Sequence, residues 1–356
     1  MLTQLPLPIV VALFAAAAVA VWSAGSRLSV YVSTLADRLH LSQGLAGMLF
    51  LGGITSLPEI ATAGSAALTG SPDLAVSNLL GTASINIMLL VIADVVLARA
   101  ALESVVASPG SLLQGLLGML LMTAVAALAL VGDREMFGTG LGFGTTGLLA
   151  GCVGALWLAS RYERSPGWTV ADDRAGEPEG EQASEVPAQA KAGRRSTRGL
   201  ALRTGVAAAV ILVAGFVLSQ SADGIAEQTG FSAGLIGLVL VGFATSLPEL
   251  SSILTAVRIG RIDLAVGDVL GTNLVNIAVL FVVDAAYREG LAFEEPSLFA
   301  GLAALLAACV IGVFLVGVLV RREAVFLRAG YTSWIAMAVY GGGLALLWSV
   351  LRAEGG

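Results

Sequence analysis

The 356-residue chain reads as an all-α polytopic membrane protein, with ten transmembrane helices arranged as two inverted five-helix repeats. Three observations carry that expectation. Hydrophobic residues make up 57% of the chain and charged residues 12%, at a mean hydropathy of +0.89, which leaves too little polar surface for a soluble globule. Apolar windows of about 20 residues, the length that spans about 30 Å of hydrocarbon, recur along the whole chain. The second half repeats the first at an offset of 190 residues.

The spans fall at 5–26, 43–68, 73–98, 111–131, 138–160, 200–220, 233–257, 263–286, 297–320 and 329–351. The first has no positively charged segment before it and reads as a retained helix, not a leader. The second and seventh are interrupted by Pro58 and Pro248. The fifth opens on the run from Gly138 to Gly144, which lacks the preceding strand and following Lys-Ser/Thr of a phosphate loop and is expected to serve close helix packing. One long polar gap, 161–199, contains Pro166, Pro178 and Pro187, an acidic first part and a basic end at Arg194, Arg195 and Arg198. Such a composition buries too little apolar area to offset chain entropy and is expected to be a disordered linker. The chain therefore divides into a first repeat, 1–160, the linker, 161–199, and a second repeat, 200–356.

When loops are assigned alternately to the two faces of the membrane, Arg134, Arg288 and Arg352 fall on one face and the other sixteen of the 19 Lys and Arg on the opposite one. The positive-inside rule then places both termini outside and the linker in the cytoplasm, in a cell inner or plasma membrane. Nineteen basic against 25 acidic residues, with no dense basic tract, argues against nucleic-acid binding.

The repeat is legible residue by residue. Thr55-Ser56-Leu57-Pro58-Glu59 returns as Thr245-Ser246-Leu247-Pro248-Glu249, Asp73-Leu74-Ala75-Val76 as Asp263-Leu264-Ala265-Val266, Gly81-Thr82 as Gly271-Thr272, and Asn86-Ile87 as Asn276-Ile277. Five helices per half, an odd number, oblige the second copy to enter the membrane from the opposite side. Inverted repeats with interrupted helices hold their substrate near the midplane, between the copies.

Ionisable groups deep in a membrane helix cost about 2.5–3.5 kcal/mol each on insertion scales and mark function by default. Glu59 and Glu249 lie deepest in their spans, and no Lys or Arg lies at comparable depth. The partner they lack points to a bound cation. Each proline removes an N–H, so carbonyls one turn earlier lose a helical donor, and Gly52, Gly53 and Gly242 permit local unwinding. Hard cations take such oxygens. Thr55 and Thr245 share a helical face with the two acids, with Ser56 and Ser246 on the adjoining edge. Asn78, Thr82 and Asn86 form a polar stripe on the third helix, mirrored by Asp268, Thr272 and Asn276 on the eighth.

These duplicated Thr-Ser-Leu-Pro-Glu segments, each followed by a Gly-Thr-x-x-x-Asn block, resemble the alpha repeats of the cation/calcium exchanger superfamily, most closely its sodium/calcium exchanger branch. The resemblance covers 40–95 and 230–285 in motif detail. It implies ten helices, alternating access, and cation sites among the second, third, seventh and eighth helices. By the same resemblance Glu59 and Glu249 are central bidentate ligands. Thr55, Ser56, Thr245, Ser246 and carbonyls near Gly52 and Gly242 surround them, with Thr82, Thr272, Asn86 and Asn276 completing the metal set. The first block reads Gly81-Thr82-Ala83 where the family commonly has Gly-Ser-Asn, and Asn276 stands where relatives often carry Asp.

Two glutamates balance one Ca2+, two Na+ or two H+; a third Na+ requires another carboxylate. Asp268 is in position to supply it. The other roles open to Asp268 are an acid close to the membrane surface or one hydrogen-bonded to a neighbouring helix. The expectation is an antiporter exchanging Ca2+ for Na+, with H+/Ca2+ antiport as the alternative and a passive cation channel as a more distant one. Lipid and small cations are then its partners, with no obligatory protein partner and no cofactor. No nucleophile–base pair indicates an enzyme. Cys152 and Cys309 are expected to be packing residues and His40 a solvated one. Asp73, Asp94, Asp263 and Asp284 are expected to act as helix-end caps in interfacial solvent.

Overall fold

A computed structural model describes residues 5–97, 109–164, 192, 196–229, 245–320, 325–326 and 329–354. Among these residues, eight helices are long and apolar enough to cross a membrane, or up to nine if two shorter helices bent by 44° count as one span, against the ten expected. In chain order they are α1 (Leu7–Leu39), the bent pair α2 (Gln43–Thr55) and α3 (Leu57–Leu68), α4 (Pro72–Leu97), α5 (Pro109–Val131), α6 (Phe143–Arg164) and α7 (Thr197–Thr229). There follow α8 (Leu247–Arg258), α9 (Ile262–Ala286), α10 (Leu298–Val320) and α11 (Tyr331–Glu354). A two-residue antiparallel pair, Val325–Phe326 with Ala329–Gly330, is the one sheet among the described residues. The first part of the expected seventh span and most of the expected linker lie outside the described residues.

Most helices match their expected windows closely, but α1 and α7 run to 33 residues each, about 50 Å at 1.5 Å per residue. The extra length is amphipathic, not apolar, which is why a hydropathy window stops short of it. Beyond Arg27, α1 buries Leu28, Val32, Leu35 and Ala36 at helical spacing, so it continues as a packed helix past the expected window. In α7 the length beyond the expected window buries Ser221, Ala222 and Ala226. The two long helices lie along each other, and Val21 and Leu218 meet between them. The glycine run is another departure: Gly138 and Gly140, at φ 74° and 73°, turn the chain before α6 begins, and Gly142 and Gly144 alone pack closely, against Asp133 and Leu128.

At the centre stand α4 and α9, with 72% and 78% of their most apolar window buried against 22% for α1. The seam between α2 and α9 is made of backbone. A side chain on Gly52 would meet the Thr272 amide at 2.6 Å, and one on Gly271 would meet the Met48 carbonyl at 2.5 Å, with Gly47 and Gly267 fitting the same way. Small residues let helix axes approach closely where lipid offers no hydrophobic drive to pack them.

The halves also hold each other by matching contacts. The Asp94 carboxylate, buried on α4, accepts from the Gly330 amide at 2.9 Å and the Ser333 hydroxyl at 2.8 Å at the start of α11. Asp284, buried on α9, accepts from the Gly142 amide and the Thr145 hydroxyl at the start of α6, both at 2.7 Å, and from the Ala292 amide at 2.8 Å. Each acid caps a helix of the other half. Both are buried, not solvated at the interface, because the helix they cap covers them. Cys152 packs in the core, whereas Cys309 is exposed on α10, and His40 is exposed at the C-terminus of α1.

The backbone seam yields a paired test. Gly271→Ala forces main chain of α2 or α9 to shift and should cost about 1–3 kcal/mol, seen as a lower midpoint of thermal unfolding for the detergent-purified protein. Gly81→Ala, at the repeat-related position with open space around it, should leave that midpoint unchanged.

Candidate cation site

The site is built on two helices that begin in the same way, at a Ser-Leu-Pro-Glu segment. The residue after Thr55, Ser56, sits at φ −77°, ψ −2°, and its repeat mate Ser246 at φ −83°, ψ 7°. Both lie off the helical track. The proline that follows needs no N–H donor in the first turn of a new helix, so it starts α3 and α8 without loss. One residue later comes the glutamate. Glu59 and Glu249 therefore each stand in the first turn of a helix, where the exposed amides and the helix dipole favour negative charge.

Each break is seated on the other half's long helix. Pro58 packs on Gly215 of α7, where a side chain would come within 2.4 Å of the proline ring. Pro248 and Ser251 pack on Gly25 of α1 in the same manner. Neither seat tolerates a Cβ, so the broken helices are located by contact with bare backbone.

Glu59 and Glu249 are both fully buried, at 1% and 0% exposure. All four of their carboxylate oxygens lack a hydrogen-bond partner among the described residues. The charged groups within Coulombic range of Glu249 are two further acids, Glu59 and Asp268. Neither glutamate has a basic partner among the described residues, whose printed ion pair, Arg261 with Asp37 at 2.9 Å, lies far out at the helix ends. Of the three acids only Asp268 is supported by hydrogen bonds, so the two glutamates are an electrostatic deficit that no basic side chain among the described residues relieves.

Polar oxygens surround the pair in two groups. In the first, the Thr55 hydroxyl lies 3.0 Å from the Leu51 carbonyl, 3.4 Å from Asp268 Oδ1 and 3.4 Å from the Thr272 hydroxyl, and it neighbours Glu249. Ser252 bonds the other oxygen of Asp268 and reaches the Glu249 carbonyl at 2.8 Å. The second group consists of amides: Asn86 donates to Asn273 at 3.2 Å, and Asn276, one turn on, has both polar side-chain atoms without a partner.

The sequence-expected residues are distributed between these groups and the helix backbone. Glu59, Glu249, Thr55, Ser56, Thr245, Ser246, Thr82, Thr272, Asn86, Asn276 and Asp268 are all buried. Ser56 returns its hydroxyl to the Gly52 carbonyl at 2.6 Å, and Thr82 to the Asn78 carbonyl at 2.8 Å, so these two are satisfied by their own helices. Gly52 forms part of the α2–α9 seam, and Gly242 lies outside the described residues. Sequence reasoning passed over Ser252 and Asn273. A repeat-based reading skips Asn273 because its mate is Ala83, although Gly271-Thr272-Asn273 preserves the Gly-hydroxyl-Asn order that the first block lacks. Ser252 carried no signal, since its mate Thr62 bonds only to backbone of its own helix.

A bundle of helices long and apolar enough to cross a membrane, with two Pro-Glu helix starts whose buried carboxylates interact electrostatically and have no basic partner among the described residues, is the pattern of a membrane carrier of small cations. The chain belongs to the sodium/calcium exchanger protein family, whose profile matches residues 9–159 and 200–348, and thus to the cation/calcium exchanger superfamily. It is similar to the inner membrane protein YrbG of Escherichia coli K12, with 28% identity over 270 residues covering 74% of this chain and 75% of that one. The sodium/calcium exchanger MaX1 of Methanosarcina acetivorans is 29% identical over 136 residues, 37% of this chain and 38% of that one. Among solved structures, the sodium-calcium exchanger NCX_Mj in a Na+-soaked form shares the fold at a TM-score of 0.68, over 96% of this chain and 99% of that one, at 17% identity.

The unpartnered carboxylates predict how stability responds to ions. Ca2+ at about a hundredfold over its dissociation constant should stabilise the folded protein by about 2.7 kcal/mol, raising the thermal midpoint. Glu59→Gln and Glu249→Gln should lose that response, yet unfold no earlier than the unmodified protein in chelator, because each removes an uncompensated buried charge.

Proposed function

We propose that the protein is a secondary-active antiporter that exchanges Ca2+ for Na+ by alternating access, with Glu59 and Glu249 as the shared ligands of both ions. The observation that carries this reading is the pair of buried glutamates whose four carboxylate oxygens have no hydrogen-bond partner among the described residues. Ca2+ takes six to eight oxygens, among them bidentate carboxylates, hydroxyls and carbonyls, and the site offers all three kinds. Na+, also a hard cation, competes for the same oxygens, so occupancy by one excludes the other and favours a different facing state. Family membership and the names of the similar exchangers support the same choice of ions.

Thr55, Ser56, Thr245, Ser246, Thr272, Asn86, Asn276 and Thr82 complete the polar lining, with carbonyls near Gly52 and Gly242. The break at Ser56 acts as a hinge, since it joins two short helices bent by 44°, and Ser246 precedes its proline in the same backbone conformation. The excess of basic residues on one set of loops supports outside termini and a cytoplasmic linker over 161–199, which leaves residues 1–160 and 200–356 as the two halves that rock about the site.

Purified protein reconstituted into Na+-loaded vesicles should take up 45Ca2+ when diluted into Na+-free buffer, and Glu59→Gln and Glu249→Gln should fall to the level of protein-free vesicles. Full uptake by both variants would contradict the assignment. Uptake driven by a pH gradient with Na+ absent would make H+ the counter-ion, and flux with no exchangeable ion opposite would indicate a channel.

A further inference from the structure

Among the described residues, the long helices α1 and α7 are tied to each other at both ends, but to the rest of the bundle by an ion pair at only one. At one end Arg38 of α1 donates at 3.3 Å to the hydroxyl of Thr197, which starts α7. At the other, Gln228, the repeat mate of Arg38, donates from the last turn of α7 to the Leu5 carbonyl at 3.1 Å, just before α1. That tie is duplicated. Asp37, beside Arg38, is turned to the other helices instead. Its Oδ2 accepts from Arg261, the residue before α9, at 2.9 Å, and its Oδ1 accepts from Gln43, the first residue of α2, at 2.7 Å. The Gln43 amide also reaches the Ser33 carbonyl of α1 at 3.4 Å. Three helix ends therefore converge on one carboxylate, and both of its oxygens are used. There α2 and α9 are already joined by the glycine seam, with Gly267 directly against the Gly44 carbonyl. The repeat does not carry this arrangement to the opposite end. Asp37 answers to Glu227, but Arg261 answers to Ser71 and Gln43 to Ala233, so the acid recurs without the cation or the amide.

We propose that Asp37, Arg261 and Gln43 form a one-sided clasp, which holds the end of α1 on α2 and α9 in one facing state and opens in the other. The proposal rests on the alternating-access reading above and adds which state the protein favours at rest. A pivot for the movement lies midway along α1, where Gly25 seats Pro248 and Ser251, and the Ser29 hydroxyl donates to the Ser252 carbonyl at 2.8 Å. Twelve residues further on, the end of the helix is held by the clasp. Asp37 and Arg261 are 49% and 36% exposed, so water takes over each group when they part and no buried charge is left behind. A fully buried pair would cost far too much to open and close in every cycle. Because the opposite end has no counterpart, the clasp biases the equilibrium toward the state closed at the Asp37 end. The bias is modest, about two- to fivefold, which is what a half-exposed ion pair commands. On the orientation proposed above the Asp37 end is cytoplasmic, and the favoured state faces outward.

The test is the distance between spin labels on Leu39→Cys at the end of α1 and Leu319→Cys at the same end of α10, both exposed, in the full chain carrying Cys309→Ser. Pulsed electron paramagnetic resonance of the purified protein should show two distances, with the one that matches the closed clasp in excess. Asp37→Asn and Arg261→Gln should each move the ratio about two- to fivefold toward the other distance, and the exchanged pair, Asp37→Arg with Arg261→Asp, should bring it back. Thr197→Ala, which cuts only the tie between the long helices, is the control and should leave the ratio unchanged. Choline chloride at about 1 M, which screens the pair without supplying Na+ or Ca2+, should act on the unmodified protein as the substitutions do and have no effect on Asp37→Asn. An unchanged ratio in both single variants, or an exchanged pair that fails to restore it, would overturn the proposal. Transport gives a second readout. In vesicles of one orientation, the half-saturating Ca2+ concentration at the Asp37 face should fall in Asp37→Asn by up to the same factor, because the state open to that face is more populated. A rise or no change there would also overturn the clasp. Absence of Na+-driven uptake by the unmodified protein would instead refute the exchange reading and leave the label distances to decide on the clasp alone.

Discussion

Two buried carboxylates inside a bundle of membrane-length helices, with no hydrogen-bond partner and no basic partner among the described residues, are the constraint on which the rest of the structure depends. Burying an ion without compensation costs several kcal/mol even after relaxation, and here two such groups lie within each other's field. Most of the architecture serves to hold them there. Broken helices place each acid at a fresh helix N-terminus, the prolines make the break permanent, and bare glycine backbone on the long helix of the opposite half fixes where each break sits.

The same economy of contact recurs wherever the halves meet. Asp94 and Asp284 each cap a helix belonging to the other repeat, through an amide and a hydroxyl three residues apart. A charged acceptor with two or three donors is worth more than neutral hydrogen bonds in a medium that excludes water. These caps join α4 to α11 and α9 to α6, while α1 and α7 run along each other outside that frame. The helix starts at Pro58 and Pro248 lie where these long helices pack on the site, against Gly215 and Gly25.

How much of this was readable in the chain differs from element to element. The spans, the repeat and the acid pair were legible because each leaves a local or duplicated mark: an apolar window, a register kept over many residues, a Pro-Glu in a segment that should contain neither. The extra length of α1 and α7 was not, since it is amphipathic and its apolar stripe matters only once a partner helix lies along it. Burial of Asp94 and Asp284 escaped for a similar reason: the groups that cover them lie 139 to 239 residues away. Repetition itself misled in one respect. Reading each half through the other favours shared features, so Asn273 and Ser252, whose mates are Ala83 and a back-bonded Thr62, had no duplicate to announce them.

A direct view of the ion tests the central claim best. Anomalous diffraction from crystals equilibrated with Ca2+ should show one strong peak between the Glu59 and Glu249 carboxylates, within coordination distance of both, and that peak should vanish when Na+ replaces Ca2+. A peak elsewhere in the bundle, or ordered density for the glutamates turned toward protein donors with no ion between them, would contradict the account.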